Sequence, residues 1–246
     1  MIINTGARTD TVNYYSDWLL NRFKAGFCYV KNPMFPNHIS KYVLTPDVVD
    51  CVIFCSKNFE PILNRFHEIY EKFHIFCYYT ITAYGKDIEP YVPEVDKSIS
   101  TLIRLSEMVG KNKVAWRYDP LMLTSKYNIP DLLEKFDYIA DKIHNYISFA
   151  EFSFVEMYKH IENKIPDIKI LSEEDKDMLA GGIASIAGKY GLSVQTCGQS
   201  KDYSHLGIGR SACITPEILE KANPGIKFKN VNCKGLRKGC GCMPQR

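Results

Sequence analysis

The chain has 246 residues, of which 46% are hydrophobic, with 31 Lys and Arg against 28 Asp and Glu. That is enough to bury a sizeable core in one domain of barrel or doubly wound size. No stretch of about eighteen uninterrupted apolar residues occurs, and Met1 to Asp10 has no basic region followed by an apolar run, so a soluble, cytoplasmic protein is expected.

Short β-branched or aromatic runs alternate with longer amphipathic stretches, the signature of parallel βα units. The first predicted strand covers Ile2 to Ala7, followed by a helix through Tyr14, Trp18, Leu19 and Phe23 that stops near Gly26. Phe27 to Lys31 is the second strand and Val48 to Cys55 the third, with a helix from Glu60 to Glu71 after it. His74 to Ile81 is the fourth. The helix after that strand carries Val95, Ile99, Leu102, Ile103, Leu105 and Met108 at helical spacing and ends at Gly110. Lys113 to Tyr118 is the fifth strand, with Pro130 to Ile143 as its helix, and Asn145 to Ala150 the sixth. A long helix begins after Ser172, with Glu174 and Asp175 in its first turn, and runs to Lys189. Leu192 to Thr196 is the seventh strand, and Ile208 to Ile214 a less regular eighth.

Eight βα units of about 25 to 30 residues suit a (β/α)8 TIM-like barrel, irregular at its C-terminal end, with an open doubly wound sheet as runner-up. No Gly-x-Gly-x-x-Gly follows the first strand, which favours the barrel. Residues 1–222 form this barrel, and residues 223–246 a basic, cysteine-rich tail packed on it. From Lys221 to Arg246 there are seven Lys or Arg and no acid, leaving residues 1–220 at net −4. A basic tail can touch phosphate, but no aromatic residues interleave its charges as in single-strand binders, so nucleic acid is a weak candidate partner.

In a barrel, function collects where strands end. Arg8 and Asp10 follow strand one, Lys57 follows strand three, and Arg117 and Asp119 share parity on strand five. These five are the candidate catalytic residues, placed to hold a small or nucleotide-like anionic substrate. A structural Arg–Asp pair tying off the rim is the competing account for Arg117 and Asp119.

Nine cysteines are present. Cys28, Cys51, Cys55 and Cys77 lie in apolar, strand-like runs, where a thiol acts as a small hydrophobe, and a reducing compartment is expected rather than a disulfide framework. Cys233, Cys240 and Cys242 crowd into ten residues with glycines between them, a spacing suited to iron or zinc. The remaining ligands are Cys197 and Cys213, which the ends of neighbouring strands seven and eight would bring to the same place. None of the six histidines shows zinc-site spacing.

Gly6-Ala7-Arg8-Thr9-Asp10, Lys31-Asn32-Pro33, Ser56-Lys57-Asn58, Thr80-Ile81-Thr82-Ala83-Tyr84, Glu89-Pro90-Tyr91-Val92-Pro93, Trp116-Arg117-Tyr118-Asp119-Pro120 and the closing Cys240-Gly241-Cys242 together resemble the bacterial family known as domain of unknown function 1848. The resemblance covers nearly the whole chain. It implies a barrel-like fold and a C-terminal cysteine cluster likened to the iron-sulfur site of radical S-adenosylmethionine enzymes, but no established reaction. On that ground an iron-sulfur cluster, 4Fe-4S before other types, is preferred to zinc as the cofactor, with an electron-donor protein as partner. The family pattern continues with a Cys-x3-Cys-x2-Cys run and places Ala-Glu where Gly198-Gln199 stands here; Arg246 is reached without that run. S-adenosylmethionine is therefore not expected to bind this chain as given. Two functions follow as expectations: an iron-sulfur enzyme of redox or radical type, or a zinc-stapled protein that binds an anionic ligand without turning it over.

Overall fold

The computed structural model describes residues 1–246 except 33, 36, 157–164, 166, 210, 211, 230–240 and 246. Its centre is a six-stranded parallel sheet of β1 (Ile2–Asn4), β4 (Cys51–Ser56), β5 (Ile75–Thr80), β6 (Val114–Leu121), β7 (Ala150–Phe154) and β8 (Val194–Thr196), in that spatial order. Spatial order follows chain order throughout. Successive parallel crossovers of one hand then carry their helices to the same face, whereas a doubly wound sheet reverses its order partway.

The helices are α1 (Thr11–Tyr14), α2 (Ser16–Ala25), α3 (Glu60–Leu63), α4 (His67–Tyr70), α5 (Val95–Val109), α6 (Ile129–Ile143), α7 (Glu173–Lys189) and α8 (Pro216–Ala222). Local chemistry sets their ends. Asn128 with Asp131 and Ser172 with Asp175 form capping boxes at the starts of α6 and α7, and Gly26 closes α2 in the left-handed region at φ 77°. Among the described residues, no helix is long and apolar enough to cross a membrane.

Strand alternation divides the core in two. Val52, Phe54, Ile75, Cys77, Tyr79, Trp116 and Phe152 point toward α1–α7 and form the larger cluster with Leu102, Phe136 and Ile183. Cys51, Ile53, Phe76, Tyr78 and Ala115 point the other way, where α8 and the last described residues cover them through Leu219, Ala222, Cys242 and Met243. Hydrogen bonds pin that cover: Asn223 Nδ2 donates to Ile75 O at 3.3 Å, Met243 N to Ile214 O at 2.8 Å, and Asn4 Nδ2 to Gln245 Oε1.

Three predicted strands differ. Phe27–Lys31 (β2) is outside the parallel sheet and pairs antiparallel with Ile39–Val43 (β3), a strand the sequence reading missed. Seven residues separate these strands, which suits a hairpin but is too short for a parallel crossover. The sixth strand begins at Ala150 rather than Asn145, because His144–Tyr146 forms a 3-10 turn. The predicted eighth is represented by one parallel bridge, Gln195 to Gly209. Six parallel strands, not eight, are therefore found among the described residues, and a complete (β/α)8 barrel is not formed by them.

Candidate metal centre

Register lines up a polar row across the sheet. Thr80 faces Arg117, Arg117 faces Glu151, and Glu151 faces Gln195, on the side covered by the C-terminal segment. Asp119, Ser153 and Cys197 follow two residues further along β6, β7 and the end of β8. Alternation puts both rows on one face, as predicted for Arg117 and Asp119.

Glu151 is fully buried at 0% exposure. Its Oε1 accepts from Arg117 Nε at 2.9 Å and its Oε2 from Gln195 Nε2 at 2.8 Å. Burial still prevails over these partners and raises the Glu151 carboxyl above its ordinary value, with Arg117 and Gln195 only moderating the shift. Arg117 is the hub. Its Nη2 lies 3.4 Å from Cys197 Sγ and 3.7 Å from Asp119 Oδ2, and its guanidinium sits 5.2 Å from the Tyr78 ring centre. Burial opposes its charge, but Glu151 and Asp119 more than compensate, so Arg117 stays protonated. Ser153 Oγ donates to Asp119 Oδ1.

Three thiols meet this pair. Cys213 Sγ is 3.1 Å from Cys242 Sγ, and one ligand atom each from Glu151, Cys197 and Cys213 lie within 4.8 Å of one another. The Tyr78 hydroxyl donates to Cys213 O and fixes that segment against β5. The hydrogen bond from Cys213 lowers the Cys197 thiol below its usual value against the effect of burial, with help from Arg117. Cys213 is raised by its contacts with Cys197 and Cys242 and by burial. This donor set fits a metal ion. Bonds of about 2.3 Å in a tetrahedron set sulfurs about 3.8 Å apart, so a shared ion would need Cys213 and Cys242 to part from their 3.1 Å spacing.

The structure therefore brings together Arg117, Asp119, Cys197, Cys213 and Cys242 from the predicted sets. Cys233 and Cys240 lie outside the described residues. Asp10 caps α1 through Asn13 N at 2.9 Å and accepts from Ser56 Oγ at 2.8 Å and Lys57 N at 3.1 Å. Lys57 Nζ pairs with Glu89, which also accepts from Thr82 Oγ1 at 2.7 Å. Arg8 Nη1 donates to Lys31 O at 2.9 Å and lines a cavity of about 490 Å³ beside β1, to which none of the three thiols contributes. Cys55 is the link between these groups. Burial pushes its thiol up to about 11, and Arg117, Glu151 and Asp10 all act on it.

The sequence reading put Glu151 at the end of strand six, among the polar residues at strand ends, without making it a site residue, and it missed Gln195. The signal was present: Ala150-Glu151-Phe152-Ser153-Phe154 alternates with period two, which puts a carboxylate inside a strand instead of in the loop after it.

A crystal structure of HydG, described as a maturase of the [FeFe]-hydrogenase, is similar with a TM-score of 0.47 and 15% identity, covering 90% of this chain and 43% of that one. This chain thus spans less than half of that protein. No curated protein matches the sequence. The family model described as domain of unknown function (DUF1848) matches residues 2–246, and the chain belongs to that family.

Proposed function

We propose that the protein is a metal-dependent enzyme whose centre is held by the thiolates of Cys197, Cys213 and Cys242, with Arg117 and Asp119 beside it to hold a small anionic substrate. The observation that carries this reading is convergence: thiols from three separate segments meet at a buried Glu–Arg pair. Packing alone gives little reason to gather a carboxylate, a guanidinium and three sulfurs, since each ion loses several kcal/mol of hydration on burial. Arg117 is anchored by Glu151 through Nε, which leaves the Nη edge turned toward Cys197 and Asp119. That edge can bind an anion and hold it against the sulfurs.

Iron, as an iron-sulfur cluster, is the metal this reading favours. Cys233 and Cys240 precede Cys242 closely in sequence, so five thiols are within reach, more than one tetrahedral ion uses. Such a cluster would supply one-electron chemistry, with a donor protein to reduce it. A second reading rests on the compact spacing. Cubane ligands stand about 6 Å apart, whereas Cys213 and Cys242 are at 3.1 Å, which favours a single zinc ion in a binding protein.

Anaerobic purification, visible absorption and metal analysis of the native chain and of Cys197→Ser and Cys242→Ser separate the two. A brown protein whose iron and sulfide are lost in both variants supports the enzyme. A colourless one with one zinc per chain, lost in the variants, supports the second reading. No metal at all, or metal unchanged in both variants, overturns both.

A further inference from the structure

The cavity beside β1 has a chemistry of its own. Its walls are α2, the β2–β3 hairpin, β1 and the loop after it, with Leu19, Phe23, Val30 and Leu44 presenting an apolar interior. Two arginines line it, Arg8 and Arg22, and no Asp or Glu does. Among the described residues neither guanidinium has a carboxylate within 4.0 Å, although acids are plentiful in the first 220 residues. Arg22 Nε is buried and has no hydrogen-bond partner there. Its guanidinium carbon is 6.0 Å from the centre of the Phe27 ring, so the hairpin flanks this cation without giving it an acceptor. Arg22 as a whole is only half-buried, but a guanidinium nitrogen shut from water without an acceptor calls for an explanation, a missing ligand being one. The volume, about 490 Å³, lies within the range of small-molecule sites.

We propose that this cavity binds a carboxylate with an apolar body, the acid group accepting from Arg22 and Arg8 and the body packing between α2 and the hairpin. The class follows from the lining: its apolar side chains suit an apolar body although Asn4, Thr5, Thr9, Thr11 and Gln245 also line the cavity, and two cations with no acid select an anion over a neutral hydrocarbon. The site is independent of the metal centre, since no residue of the thiolate cluster lines it.

Decanoate is the probe, with decanol as its uncharged counterpart, both titrated calorimetrically into the full chain. Binding of decanoate is expected, weakened about 10- to 100-fold by Arg22→Met and by Arg8→Met, the worth of one charge-assisted hydrogen bond. Decanol should bind at least about tenfold more weakly than decanoate. Ala7→Trp, at an exposed lining position, fills the entrance with both charges kept and should abolish binding with the melting temperature unchanged. The decanol comparison and Ala7→Trp decide the matter if either arginine variant fails to fold. The proposal is overturned if decanoate does not bind at millimolar concentration, if decanol binds as tightly, if both folded arginine variants bind like the native chain, or if Ala7→Trp binds unchanged.

Discussion

Replacing Arg117 with Met keeps much of the aliphatic stem but removes the only ion-pair partner of Glu151 among the described residues, a side chain with no exposed surface. Left ionised, the carboxylate would cost more than the fold can bear, so it escapes by taking a proton. That escape sets the magnitude. Against an ordinary value of 4.5, holding the group neutral at pH 7 costs about 1.4 kcal/mol per pH unit over about 2.5 units, or about 3 kcal/mol. The sign follows from proton binding. Burial already raises Glu151 in the native chain, and removing Arg117, which lowers it, raises it further, so the variant's deficit is absent below the unfolded value and grows as pH rises toward its folded one. Urea denaturation of chelator-treated protein should therefore show Arg117→Met less stable than the native chain by up to about 3 kcal/mol at pH 7 and by no more than about 1 kcal/mol at pH 5. Adding Glu151→Gln, which removes the charge at nearly constant shape, should restore most of the loss at pH 7. A pH 7 loss under about 1 kcal/mol, or a double variant no more stable than the single, would refute the account of Glu151 as a carboxylate dependent on Arg117.

Gly6→Ala should lower the melting temperature by about 5 °C, because its Cβ would stand 2.7 Å from Cys55 Cβ and 2.8 Å from Cys55 O, both fixed by β4; an unchanged melt counts against that close approach. Asp10→Ala removes the acceptor of Asn13 N, Ser56 Oγ and Lys57 N and should cost about 2 kcal/mol in urea denaturation, with Asp10→Asn recovering part of it. In chelator-treated protein at pH 8, iodoacetamide should modify Cys197 before Cys51 or Cys55, whose thiols burial pushes up to about 12 and about 11. Cys213→Ala should slow that reaction by removing the hydrogen bond that lowers Cys197, and peptide mapping that finds Cys55 modified first would contradict the charge distribution described.

The sheet was legible where strands are continuous apolar runs. Cys51–Ser56 and Ile75–Thr80 are buried on both faces, so their sequence carries the β signal almost without interruption. The hairpin was not, because β3, Ile39-Ser40-Lys41-Tyr42-Val43, is largely exposed and carries polar residues on a small two-stranded ribbon. Arg117 and Asp119 could be placed because the parity of one strand is a local property. Gathering Cys197, Cys213 and Cys242 depended on an inferred order of strand ends. Glu151 could be placed at the same end as Arg117, but their partnership depends on the register between β6 and β7, which no single-strand pattern encodes.

The far end of the chain seals the sheet face on which the polar row stands, and this imposes a timetable. Phe76, Tyr78 and Ala115 wait for Cys242 and Met243, about 120 residues after β6. At about 5 to 20 residues per second, a ribosome leaves that face bare for about 6 to 24 s after the strand itself has emerged. A nascent chain thus presents a row of aromatic side chains on this face until then, a surface open to chaperones and to aggregation. Cys213 and Cys242 come from segments made after the last strand of the sheet, so the three thiols can meet only once that sheet has been synthesised. A chain cut short before residue 242 lacks both the cover of this face and the third sulfur.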